Sequence, residues 1–152
     1  LGNTSIFCDA GNKETVINLN INLKKRQHFQ PLAPILLEED FEKYFSINKS
    51  IVKNLEWMGT LCDAKQTLYN KYNSIIHVDG TCRTQIIKDK NSITYKILKN
   101  MKNYGSDILV NTSFNISKDP VVFDLFDVYV NMKRMKIEFI LMDDGLYQTK
   151  NV

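Results

Sequence analysis

Short apolar runs that keep ending in polar or turn residues constrain this chain more than any other feature. Ala33–Leu37, Asp107–Val110 and Ile137–Met142 are strand-length runs, and each falls far short of the roughly 18 apolar residues needed to cross a bilayer. Between the runs lie stretches with helical spacing. Ser92 caps one in which Ile93, Ile97, Leu98 and Met101 follow the helical period, and Gly105 stands where a C-terminal glycine belongs. Strands and helices interleave without a strict strand–helix–strand repeat, so the expected fold is α/β of the mixed α+β kind, a mixed sheet with helices packed against it.

Further elements follow from the same signals. Glu38–Phe45 carries its acidic residues early, as a helix start prefers. Trp57–Cys62 reads as a buried strand and Asp63–Tyr72 as a helix. Ile75–Val78 and Thr84–Ile87 read as strands separated by the Asp79–Gly80 turn. Asp124–Arg134 is a helix with Leu125, Val128 and Met132 on one face. A terminal hairpin joins Ile137–Met142 to Leu146–Thr149 through Asp143-Asp144-Gly145.

The 152 residues fit one domain, residues 1–152, with 43% apolar and 24% charged residues, as in water-soluble globular proteins. No signal peptide is present, and a chain that opens on Leu1 reads as a fragment of a longer protein. A net charge of +3 hints at nucleic acid, but only three of the 20 basic residues are arginines: Arg26, Arg83 and Arg134. The remaining lysines are scattered and read as a solvated surface, so neither nucleic acid nor membrane is expected as a partner. Three cysteines without CxxC or Cys/His spacing give no zinc pattern and fit a reducing cytoplasm. Cys82 abuts Arg83, which could lower its thiol pKa, but no base accompanies it; buried small hydrophobes are the simpler reading of the cysteines.

Three segments are polar where a scaffold gains nothing by it. In Lys24-Lys25-Arg26, an extended backbone would place Lys24 and Arg26 on one face, where two cations repel unless an anion lies between them; a lysine-guarded strand edge is the alternative. In His77-Val78-Asp79-Gly80-Thr81-Cys82-Arg83 an acid, a hydroxyl and a guanidinium surround a glycine turn. That turn is equally served by Asp79 capping it and pairing with Arg83, and His77 by a structural role. In Asn111-Thr112-Ser113-Phe114-Asn115, two amides and two hydroxyls follow an apolar strand, more than one turn requires.

In this order, these segments resemble the C-terminal domain of the carbamoyltransferases that include nodulation-type and antibiotic O-carbamoyltransferases. The resemblance begins at Leu1-Gly2-Asn3-Thr4-Ser5-Ile6 and continues through Asn22–Pro34, His77–Gln85 and Asn111–Asn115, with Pro120 following. It implies a YrdC-like twisted mixed sheet flanked by helices. It also implies that carbamoyl phosphate and ATP, with Mg²⁺, are joined as carbamoyl-adenylate, and that an N-terminal actin-like domain then transfers the carbamoyl group to an acceptor hydroxyl. Lys24 and Arg26 match the family's Lys-x-Arg motif, Ser113 and Asn115 its Ser-x-Asn motif, and Arg83 an anion-binding arginine. Lys24, Arg26 and Arg83 are thus the expected catalytic cations, with Gln30, His77, Asp79, Thr81, Asn111, Thr112, Ser113 and Asn115 binding substrate or nucleotide.

Gln30 and Thr4 stand where the family usually has arginine, which removes two charges from the site. A non-catalytic nucleotide- or RNA-binding module and a purely structural half are the competing readings. Loss of Lys24 or Arg83 is expected to abolish carbamoyl phosphate binding while leaving unfolding nearly unchanged.

Overall fold

A computed structural model describes residues 4–27 and 29–149. The Leu1–Asn3 end of the family-like opening lies outside the described residues. Strand β1 (Ser5–Asp9) leads into helix α1 (Lys13–Ile17), capped by Asn12, whose side chain accepts from the Thr15 amide at 3.0 Å. The helix runs on without a break as a π-helical turn, Asn18–Leu23. Strand β2 (Ala33–Leu37) follows, then a 3-10 turn (Glu38–Asp40), helix α2 (Phe41–Tyr44) and strand β3 (Phe45–Ser46). A 3-10 helix (Lys49–Trp57), strand β4 (Cys62–Ala64), helix α3 (Gln66–Tyr72), and strands β5 (Thr81–Cys82) and β6 (Gln85–Ile87) come next. Helix α4 (Ile93–Met101), strand β7 (Ile108–Ser113), helix α5 (Leu125–Met135) and the hairpin β8 (Phe139–Met142) and β9 (Gly145–Gln148) complete the described chain.

The main sheet has the order β1-β7-β2-β6; β7 runs antiparallel to both its neighbours, and β2 and β6 are parallel. This is the expected mixed α/β class. Every residue of β2 is buried, because side chains alternate between two covered faces. Leu36 points with Ile6, Ile86, Ile108 and Val110 into the larger core, which also holds Val16, Leu19 and Tyr72. Ile35, Leu37 and Leu109 point the other way, onto Leu98 of α4. A second small sheet, β3-β4-β5, lies beside it.

Several expected elements differ. Trp57–Cys62 is not a buried strand. The 3-10 helix ends at Trp57, Met58 turns left-handed with φ 53°, and the Gly59 amide donates to the Asn54 carbonyl at 2.8 Å. Trp57 is 75% exposed, so apolar composition alone misled the reading. Asp63 and Ala64 belong to β4, and the helix starts only at Gln66. Ile75–Val78 is no strand; Val78 is 92% exposed. The Asp79–Gly80 turn is real, but the strand after it, β5, pairs with β4, while β6 pairs in parallel with β2. A glycine turn does not say which sheet the next strand joins. In α5, Val128 and Met132 face the core as expected, but Leu125 does not.

Candidate functional site

The carboxyl end of β7 meets the amino ends of β2 and β6 at one edge of the main sheet. Asn111 pairs with Ala33 of β2, and Arg83 lies two residues before Gln85, the β6 residue that pairs with Ile35. Lys24 and Arg26 reach this edge from the end of the π-helical turn, and their backbone is not extended. Lys24 retains right-handed helical geometry, its amide donating to the Leu19 carbonyl at 2.9 Å. Lys25 is left-handed at φ 50°, and the Arg26 amide donates to the Asn20 carbonyl at 3.0 Å. The two cations reach the same edge because the chain coils, not because strand alternation aligns them.

Lys24 is 3% exposed. Its ammonium donates to the Ser113 carbonyl at 2.8 Å and hydroxyl at 3.2 Å, and to the Asn115 carbonyl and Oδ1, both at 2.7 Å. The Ser113 hydroxyl donates to the same Asn115 Oδ1 at 2.6 Å. The Lys-x-Arg and Ser-x-Asn segments are therefore locked together by one buried ammonium whose protons are all engaged. Burial, and then the neighbouring Arg26, pull the Lys24 pKa down to about 8, although four oxygens surround the charge. These four bonds to a buried ammonium argue against the expectation that Lys24 can be removed without structural cost.

Arg26 is half-buried and donates to Thr112 Oγ1 at 3.3 Å. Desolvation and then the charge of Arg83 hold its pKa below the usual guanidinium value. Arg83 is exposed, but its neighbours Cys82 and Thr84 are both 0% exposed, so the backbone that presents it is fixed. Among the described residues, neither arginine is ion-paired with a carboxylate. Two guanidiniums near each other without a counter-charge favour an anion between them.

His77, Asp79 and Thr81 form a closed turn of their own. The Thr81 amide and hydroxyl donate to Asp79 Oδ1 at 3.0 and 2.7 Å, and His77 Nδ1 lies 3.0 Å from Thr81 Oγ1. Those bonds hold the Asp79 carboxyl below its usual pKa. Asp79 thus caps its turn as the structural reading holds, but it does not pair with Arg83. Gln30 is exposed, and its backbone is tied to Asn20 and Gln27. Thr4 is exposed, and its carbonyl accepts from Phe114, which places it next to the β7 end. Burial pushes the Cys82 thiol up to about 12, and Arg83 does not offset this, which favours reading Cys82 as a buried hydrophobe.

Asn111 is 7% exposed with Oδ1 unpartnered, as is the Oδ1 of Asn20. Asn20 was missed by the sequence reading. Its signal in the sequence is an amide on the apolar stripe of Val16, Leu19 and Leu23, and in the structure it lies within the π-helical turn, a geometry of the kind that gathers at functional sites. With the Lys24, Ser113 and Asn115 donors already engaged, the guanidiniums of Arg26 and Arg83 and the Thr112 hydroxyl are the donors that suit phosphate oxygens. They do not form a magnesium cage, which takes carboxylate oxygens, and among the described residues no three His, Cys, Asp or Glu side chains cluster. Nor is any helix of the described residues long and apolar enough to cross a membrane.

The fold is a mixed α/β domain in which Arg26 and the hydroxyl–amide end of β7 meet at one end of the main sheet. The chain belongs to the carbamoyltransferase C-terminus family, whose model matches residues 1–149. It is 34% identical over 129 residues to nodulation protein NolO of Bradyrhizobium diazoefficiens, covering 84% of this chain and 23% of that protein. Similarity to nodulation protein NolNO of Sinorhizobium fredii is 32% over 152 residues, covering 99% of this chain and 22% of the relative. To the 3'-hydroxymethylcephem-O-carbamoyltransferase of Streptomyces clavuligerus it is 25% over 150 residues, 97% of this chain and 27% of the relative. The chain spans about a quarter of the length of the curated relatives it matches.

Proposed function

We propose that this chain is the adenylating part of an ATP-dependent O-carbamoyltransferase. The observation that carries the reading is the pair Arg26 and Arg83, close enough to sense each other and without a carboxylate partner, beside the Thr112 hydroxyl. Water releases phosphate from carbamoyl phosphate to leave carbamate. A carbamate oxygen then attacks the α-phosphorus of ATP, the bond to the β-phosphate oxygen breaks, and carbamoyl-adenylate and pyrophosphate result. Every substrate is an anion, so the protein's task is to offset repulsion and hold the in-line geometry.

Arg26 and Arg83 would bind the phosphates and stabilise the charge that develops on the leaving pyrophosphate. Thr112 accepts from Arg26 and retains its own proton for a phosphate oxygen. Lys24 acts one step back: it fixes Ser113 and Asn115 and adds a buried positive charge. The unpartnered Asn111 Oδ1 would accept from a substrate amino group. Mg²⁺ would be carried on the phosphates and neutralise part of their charge.

Transfer to an acceptor hydroxyl is assigned to an actin-like domain of the longer protein, and reliance on ATP and carbamoyl phosphate assigns the work to the cytoplasm. The test is pyrophosphate release from ATP that depends on carbamoyl phosphate. Binding of ATP without any release in a full-length carbamoyltransferase containing this chain would make it a non-catalytic nucleotide-binding module.

A further inference from the structure

The third arginine of the chain is connected to Lys24 through one loop. Residues 115–121 leave β7 and return where the Val122 amide donates to the Phe114 carbonyl at 3.0 Å, closing the neck of the loop. Within it the Asp119 amide donates to the Ile116 carbonyl at 3.0 Å, and Lys118 is left-handed at φ 72°. The Asp119 carbonyl accepts from Asn115 Nδ2 at 2.6 Å, while its carboxylate is gripped by Arg134 of α5 at 2.7 Å. The other end of the same Asn115 amide, Oδ1, accepts from Lys24 and Ser113.

An amide has a donor end and an acceptor end, and rotating it exchanges them. With Nδ2 held by the Asp119 carbonyl, Oδ1 must face the ammonium. Once the loop is released, the amide can turn and present N–H groups to Lys24, donor against donor. We propose that Arg134 and Asp119 are positioning residues for the candidate anion site, fixing the orientation of Asn115 and thereby the charged state of Lys24. As a statement about substrate binding this rests on the function proposed above; as a statement about Asn115 and Lys24 it does not.

The ion pair itself contributes little to stability, since its side chains are 51% and 36% exposed. An exposed pair that adds little to the fold can therefore be altered without unfolding the chain. Among charged groups Lys24 senses Arg26; from β7 and the loop after it the ammonium meets only the oxygens of Ser113 and Asn115.

The test is NMR titration of the Lys24 side chain in ¹⁵N-lysine-labelled protein, the signal assigned by its loss in Lys24→Met. It compares the wild type with Arg134→Met, Arg134→Lys and Asp119→Asn. Losing a charge-assisted acceptor should lower the Lys24 midpoint by about one pH unit in Arg134→Met and Asp119→Asn. Arg134→Lys, which keeps a cation opposite Asp119, should largely restore it. A Lys24 midpoint unchanged in Arg134→Met and Asp119→Asn overturns the proposal. ATP titration of the same samples separates the two claims. Wild-type protein that ignores ATP, together with variants that show the Lys24 shift, refutes the proposed function and upholds the positioning role.

Discussion

Replacing Lys24 by Met should make the stability difference between wild type and variant depend on pH, in a direction fixed by burial of the ammonium. The ordinary lysine value is 10.5, and in the folded chain Lys24 lies at about 8. Between those values the unfolded chain binds more protons than the folded one, so the contribution of Lys24 to stability rises with pH. For a single site, the wild type should gain about 2 kcal/mol relative to Lys24→Met between about pH 7 and pH 9.5. Lys43, Lys88 and Lys102 have raised values because carboxylates bond them, and they act in the opposite direction. They are common to both proteins and cancel in the difference. Urea unfolding followed by circular dichroism at the two pH values measures it. A difference that stays constant, or that moves against the wild type as pH rises, would refute the reasoning. It would mean that the four oxygens around the ammonium outweigh its burial.

Two further outcomes follow from side chains at and near the same edge. Gln30→Arg restores a charge at an exposed position held, among the described residues, through its backbone, and it should tighten ATP binding about ten- to a hundredfold without loss of stability. Calorimetric titration showing equal affinity would mean that residue 30 does not face the anion. Burial pushes the Cys8 and Cys82 thiols up to about 12 and raises that of Cys62. At about pH 8 some one in ten thousand of the Cys82 thiols is then ionised. Ellman's reagent should therefore react slowly with the native protein and with all three cysteines in urea; rapid native labelling would contradict this.

The sequence reveals some parts of this structure and hides others for identifiable reasons. Local chemistry was legible: Ser92 caps α4, Gly105 takes the left-handed turn, and Asp79 closes its own loop. Pairing was not, because the partner of β5 is chosen by the core and not by the turn that precedes it. Scarcity of arginine drew attention to Arg26 and Arg83, and the charge of Arg83 contributes to the lowered pKa of Arg26. The division of labour between Lys24 and the arginines was hidden, because no spacing rule shows that an ammonium will be buried against four oxygens. The π-helical turn that delivers Lys24 likewise has no distinct signature beyond the misplaced amide of Asn20.

The most direct test is carbamoyl phosphate-dependent release of pyrophosphate from ATP by a full-length carbamoyltransferase containing this chain, wild type against Arg83→Ala. The exposed Arg83 makes no hydrogen bond or ion pair among the described residues, so its loss should leave the unfolding midpoint within about 2 °C. Release should occur in the wild type and fall at least ~tenfold in the variant. Equal release by both proteins, or none from the wild type, would contradict the assignment of this sheet edge as the adenylation site.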